Sequence, residues 1–97
     1  MTVDEFKASL SRETPAQDLS PALQALWWAG KDDWEKAHTI VMAESGAEPA
    51  WVHAYLHRVE GDLRNAHYWY GHAGQPAADC SLPDEWGAIV SALLARH

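Results

Sequence analysis

The chain has 97 residues, 47% of them hydrophobic, with six Trp and a formal net charge of −7 from seven basic and fourteen acidic side chains. That length makes one domain, 1–97, with a core and a large exposed fraction. The charge, and the lack of any basic cluster, argue against a nucleic-acid partner, whose phosphates are held by grouped cations. No apolar run approaches the roughly 18 residues of a membrane span, so no membrane partner is expected. The start, Met1 to Phe6, is acidic and unlike a signal peptide, which makes a cytoplasmic location the expectation. Cys80 is the sole cysteine, so no intrachain disulfide can form. With Asp79 beside it and no base near in sequence, it reads as an incidental thiol.

Thr2-Val3-Asp4-Glu5 is a capping box, and Val3, Phe6 and Leu10 follow at helical spacing, which predicts a helix over 3–11. Residues 12–19, with Thr14-Pro15, read as a connector. Ser20 caps the next helix and Pro21 suits its first turn. Leu23, Leu26 and Trp27 form its apolar face, and Gly30 is read as its stop. Asp32 is read as the cap of a third helix, with Glu35 at the box position. Trp34, Ala37, Ile40, Val41 and Glu44 line one side of that helix up to Gly46, completing a first hairpin over 20–45.

A second hairpin is predicted over 49–74. Glu48-Pro49 opens it, and Trp51, Val52, Tyr55, Leu56 and Val59 form a broad core stripe. His53, His57 and Glu60 fall together on the other side. Gly61 closes that helix and is expected at positive φ, while Asp62 caps the fifth. There Leu63, Ala66, Trp69, Tyr70 and Ala73 face inward until Gly74 and Pro76. After a loop, a last helix over 83–96 carries Trp86, Ile89, Val90, Leu93 and Leu94. Nothing alternates with period two, so the fold class is all-α, with about six helices in stacked antiparallel hairpins.

The hairpins repeat. Asp32 to His38 aligns with Gly61 to His67 at an offset of 29 residues (66 − 37), and Leu23, Leu26 and Trp27 then meet Val52, Tyr55 and Leu56. Asp32-Asp33-Trp34-Glu35-Lys36-Ala37 and Gly61-Asp62-Leu63-Arg64-Asn65-Ala66 resemble the second-helix start of tetratricopeptide-type repeats, and Pro49 falls where that family's terminal proline does. The period of that family is longer, about 34 residues, and Pro76 comes early in the second unit. The chain is also similar to small uncharacterised bacterial proteins with the string seen at Trp51–Arg58, Glu60–Asp62, Asn65–Ala66 and Tyr68–Tyr70, a likeness that supplies no activity. The tetratricopeptide resemblance implies a stack of hairpins that binds a protein or peptide.

Several residues could carry chemistry. His53 and His57, four apart on one helix face, have zinc-like spacing. A third ligand would come from Glu60, His38, His67 or His72, but the metalloprotease Glu is missing because Ala54 stands in its place. The alternative is that these histidines are hydrogen-bonded structural residues, and the reading assigns no metal and no cofactor. An aromatic, polar groove is the other candidate, formed by His53, His57, Arg58, Asn65, Tyr68 and His72. Arg58 and Arg64 could serve a partner's carboxylate or pair with Glu60 and Asp62. No nucleophile–base pair or phosphate loop is present, so a non-enzymatic interaction or scaffold module is expected, with a small His-based metal protein or enzyme as the alternative. The apolar stripe of the last helix and six Trp suggest a homodimer, unless the first helix folds back over that flank.

Overall fold

A computed structural model describes residues 1–96, and His97, counted in the single domain, lies outside the described residues. Among those residues the chain is all-α. Its helices are α1 (Val3–Ala8), prolonged by a 3-10 turn at Ser9–Ser11, α2 (Pro21–Gly30), α3 (Trp34–Met42), α4 (Ala47–Val59), α5 (Leu63–Ala73) and α6 (Leu82–Arg96). The helix starts follow local chemistry. The Thr2–Glu5 capping box forms in both directions, and Ser20 accepts the backbone N–H of Leu23. Asp62 accepts that of Asn65, and Gly74 ends α5 in the left-handed conformation.

Helices α2 and α3 pack as one hairpin, and α4 and α5 as the other. Helix α6 does not prolong the stack beyond α5. It lies against α1, α2 and α4, and α4 becomes the central helix, touching α2, α3, α5 and α6. The core joins Phe6 of α1, Leu23, Leu26 and Trp27 of α2, Val52 and Leu56 of α4, and Ile89, Val90 and Leu93 of α6. Each large side chain in it contributes about 1.5–3 kcal/mol through removal from water. The tryptophans enter this core with their polar ends satisfied: Trp27 Nε1 donates to Ser9 Oγ, Trp34 Nε1 to the Leu56 carbonyl and Trp86 Nε1 to the Leu26 carbonyl.

Several local expectations are corrected. Gly30 does not stop α2 with a left-handed turn; it is the last helical residue, and a Cβ there would lie 3.0 Å from Leu10 and 3.1 Å from Trp86. The positive φ falls on Asp32 instead, at 61°, and the cap of α3 is Asp33, whose carboxylate accepts the Lys36 N–H. Helix α3 ends at Met42, and Gly46, at φ 112°, precedes α4. Val59 and Leu63, expected inside, are exposed. The α6 stripe is spent within the monomer: Trp86, Ile89, Val90 and Leu93 are buried, and Phe6 folds back against Trp86 at 5.6 Å between ring centroids. The expected homodimer thereby loses the apolar flank on which it rested.

Candidate functional site

The central position of α4 decides the fate of its histidines. Amphipathic spacing assigned them to an outer face, but a helix packed on four neighbours has almost no outer face. His53 and His57 are 6% and 7% exposed, and they meet the half-buried His38 of α3. His38 Nε2 and His53 Nε2 are 3.1 Å apart. Ligand atoms of His38, His53 and His57 all lie within 4.8 Å of one another. His57 Nδ1 stands 2.5 Å from Glu60 Oε1, so its N–H donates to that carboxylate.

Aromatic walls hold the cluster. Trp34 stacks on His38 at 4.5 Å and 16°, and Trp69 stacks on His53 at 4.0 Å and 18°. His53 stacks in turn on His57 at 4.7 Å. Burial, followed by the neighbouring His57 and His38, depresses the His53 pKa to about 4. His38 is lowered as well, first by burial and then by His57, against the opposing pull of Glu60 and Glu35. Near neutral pH both rings are uncharged and keep a nitrogen lone pair.

A second polar centre lies between α4, α5 and α6. Glu85, 3% exposed, accepts from Arg58 Nη1 at 2.9 Å and from the Tyr70 hydroxyl. Arg58 also donates to the Cys80 carbonyl, which ties the loop before α6 to α4. Burial, then the hydrogen bond to Glu85, raises the Tyr70 pKa, and the Glu85 hydrogen bond raises that of Arg58. Sequence reasoning missed Glu85. In the first turn of a helix it reads as a residue that suits the dipole, and nothing local reveals a partner 27 residues away.

The six residues of the sequence-derived groove are distributed over four places. His53 and His57 lie in the histidine cluster, while Arg58 is bound to Glu85 and Cys80. Asn65 sits in the first turn of α5, donating its backbone N–H to Asp62. Tyr68 is 59% exposed, with its ring 4.6 Å from that of exposed His72. His72 and His53 do share a hollow with Val41, Ala50 and Trp69. His67 is exposed.

A larger cleft opens where the ends of α2 and α4 approach the start of α6. It encloses about 520 Å³ and is lined by Leu10, Asp32, Trp34, Tyr55, Val59, Pro83 and Trp86, among others. Burial, then the charge of Glu85, raises the Tyr55 pKa to about 12, so its phenol stays neutral there. Comparison with family models, with curated proteins and with solved structures finds no match. Among the described residues, no helix is long and apolar enough to cross a membrane.

Proposed function

We propose that the protein is a non-enzymatic interaction module that docks a short apolar segment of another protein, flanked by basic residues, in the cleft between α2, α4 and α6. The cleft itself carries the reading: about 520 Å³, with Trp34, Tyr55, Trp86 and exposed Val59 along it and Asp32 among its lining residues. Aromatic concavities of this size suit anchor side chains. The chain's net charge of −7 favours a basic flank on the partner. A heterologous partner is preferred to a second copy, because the α6 stripe is already covered. A reducing, cytoplasmic setting belongs to this proposal, in keeping with the exposed free thiol of Cys80.

Selection from a display library of random peptides tests the reading. Bound sequences are expected to share spaced apolar anchors beside Lys or Arg. Val59→Asp is expected to abolish their binding without loss of helicity, and Asp32→Asn to weaken it most at low salt. Peptides that bind Val59→Asp as well as they bind the parent, or a selection that enriches nothing, would overturn the proposal.

A further inference from the structure

We infer that His38, His53 and His57 form a three-imidazole site for a divalent transition ion of the zinc class, with Glu60 orienting His57 from behind. This inference does not depend on the docking cleft and holds or fails separately.

Geometry is the first support. Three atoms no more than 4.8 Å apart have a common point within about 2.8 Å of each (4.8 Å divided by √3). Zinc–imidazole bonds are about 2.0–2.1 Å, so shifts of under about 1 Å would close the shell. Ligand nitrogens of a tetrahedral ion stand about 3.3 Å apart, and the His38 and His53 Nε2 atoms are already at 3.1 Å.

Protonation is the second. Metal ligands must be neutral imidazoles, and His38 and His53 bring their Nε2 atoms together at 3.1 Å in a part-buried setting. Without an ion, one of these two rings must turn an N–H on the other. With one, both rings carry their proton on Nδ1, and small ring shifts aim both Nε2 lone pairs at the cation.

The third support is the shell behind the ligands. Ligating histidines characteristically donate their other N–H to a carboxylate, which fixes the tautomer and strengthens the ligand. His57 places Nδ1 against Glu60, which leaves Nε2 as the ring atom turned to the ion. Trp34 and Trp69 clamp the other two rings by stacking. Among the described residues the group holds three imidazoles and no fourth ligand, which leaves a coordination position for water or a small anion.

The test uses the untagged full chain, stripped with a chelator and titrated with Zn²⁺ by calorimetry, with tryptophan fluorescence recorded in parallel. One ion per chain is expected, with a fluorescence change from Trp34 and Trp69 and a rise in melting temperature. His38→Gln and His57→Gln are each expected to weaken binding more than about tenfold, and Glu60→Gln by about 10–100-fold. Exposed His67→Gln/His72→Gln should leave affinity unchanged. If His38→Gln or His57→Gln loses helicity, the exposed Glu60→Gln decides. Absence of saturable one-to-one binding, parent-like affinity in well-folded His38→Gln, His57→Gln or Glu60→Gln, or loss of binding in His67→Gln/His72→Gln would each overturn the site.

Discussion

In the first hairpin the chain turns with Asp32 at φ 61° and Asp33 capping α3, and 29 residues later (61 − 32) it turns with Gly61 at φ 85° and Asp62 capping α5. The closing bonds match too: Asp33 N to the Trp28 carbonyl and Asp62 N to the His57 carbonyl, both 2.9 Å. The helices around these turns are used differently. Helix α2 buries Leu23, Leu26 and Trp27 in the main core, and α3 covers them with Ala37 and Val41. Helix α4 is enclosed on four sides and takes two histidines inside, whereas α5 leaves Leu63 and Tyr68 in solvent. The turn is therefore a backbone property that repeats with sequence, while the use of each face is dictated by which neighbours arrive.

The sharpest way to break this comparison is to cut into each hairpin. Trp27→Ala removes a fully buried indole, its bond to Ser9 and its edge contact with Trp28, and is expected to cost about 3–5 kcal/mol. Tyr68→Ala, on the open side of the second hairpin, should change stability by less than about 0.5 kcal/mol. Urea midpoints would show it, and similar losses would mean that the hairpins are not unequal in this way.

The second hairpin is held to α6 by polar groups. Glu85→Ala strands the Tyr70 hydroxyl and the Arg58 guanidinium, and should cost about 3 kcal/mol. Arg58 can still reach water at one edge, which keeps the loss below that of a sealed ion pair. A loss under about 1 kcal/mol in denaturant titration would show that the apolar contacts of α6 suffice without the buried carboxylate.

Acid should also act where the two hairpins meet, through His53. His53 in the folded chain has its pKa depressed to about 4, below the ordinary value of 6.5, so the unfolded chain takes up the proton first. Stability is accordingly full above pH 6.5 and declines as pH falls toward 4, by about 2–3 kcal/mol from this group. Urea midpoints of the metal-free parent and His53→Gln, compared from neutral to mildly acidic pH, isolate the effect. Equal slopes in the two proteins would refute it.

The smallest effects lie in the turns. Asp32→Gly should stabilise by about 0.5–1 kcal/mol, because the left-handed conformation penalises a Cβ. Gly61→Ala should cost about 1 kcal/mol for the same reason, although open space surrounds the added methyl. Shifts of the same sign would deny that the turns are equivalent.

The apolar spacings of α1, α2 and α6, the Thr2, Ser20 and Asp62 caps and the left-handed Gly61 were legible in the sequence, because each depends on residues within one or two turns. Gly30 was misread because glycine has two uses: positive φ, and close approach. Here it lets Leu10 and Trp86 come near. His38 appeared among four candidates for a third ligand, since a repeat offset locates a helix but not the side chain that faces a neighbour's ring. The Arg58–Glu85 pair and the route of α6 were not legible, being set by contacts 27 and more residues apart.

The position of α6 also fixes the order in which this chain can be finished. The two hairpins join neighbours in sequence and can form early, but the bond from Trp86 to Leu26 spans 60 residues. On a ribosome, Phe6, Leu26 and Leu56 are made long before the helix that covers them. Until α6 emerges, these side chains form an open apolar face on a nascent chain, the kind of surface that chaperones bind and that aggregates when left waiting. Docking of α6 onto the two hairpins closes the longest-range of these contacts, and slowing it should lower the yield of native protein.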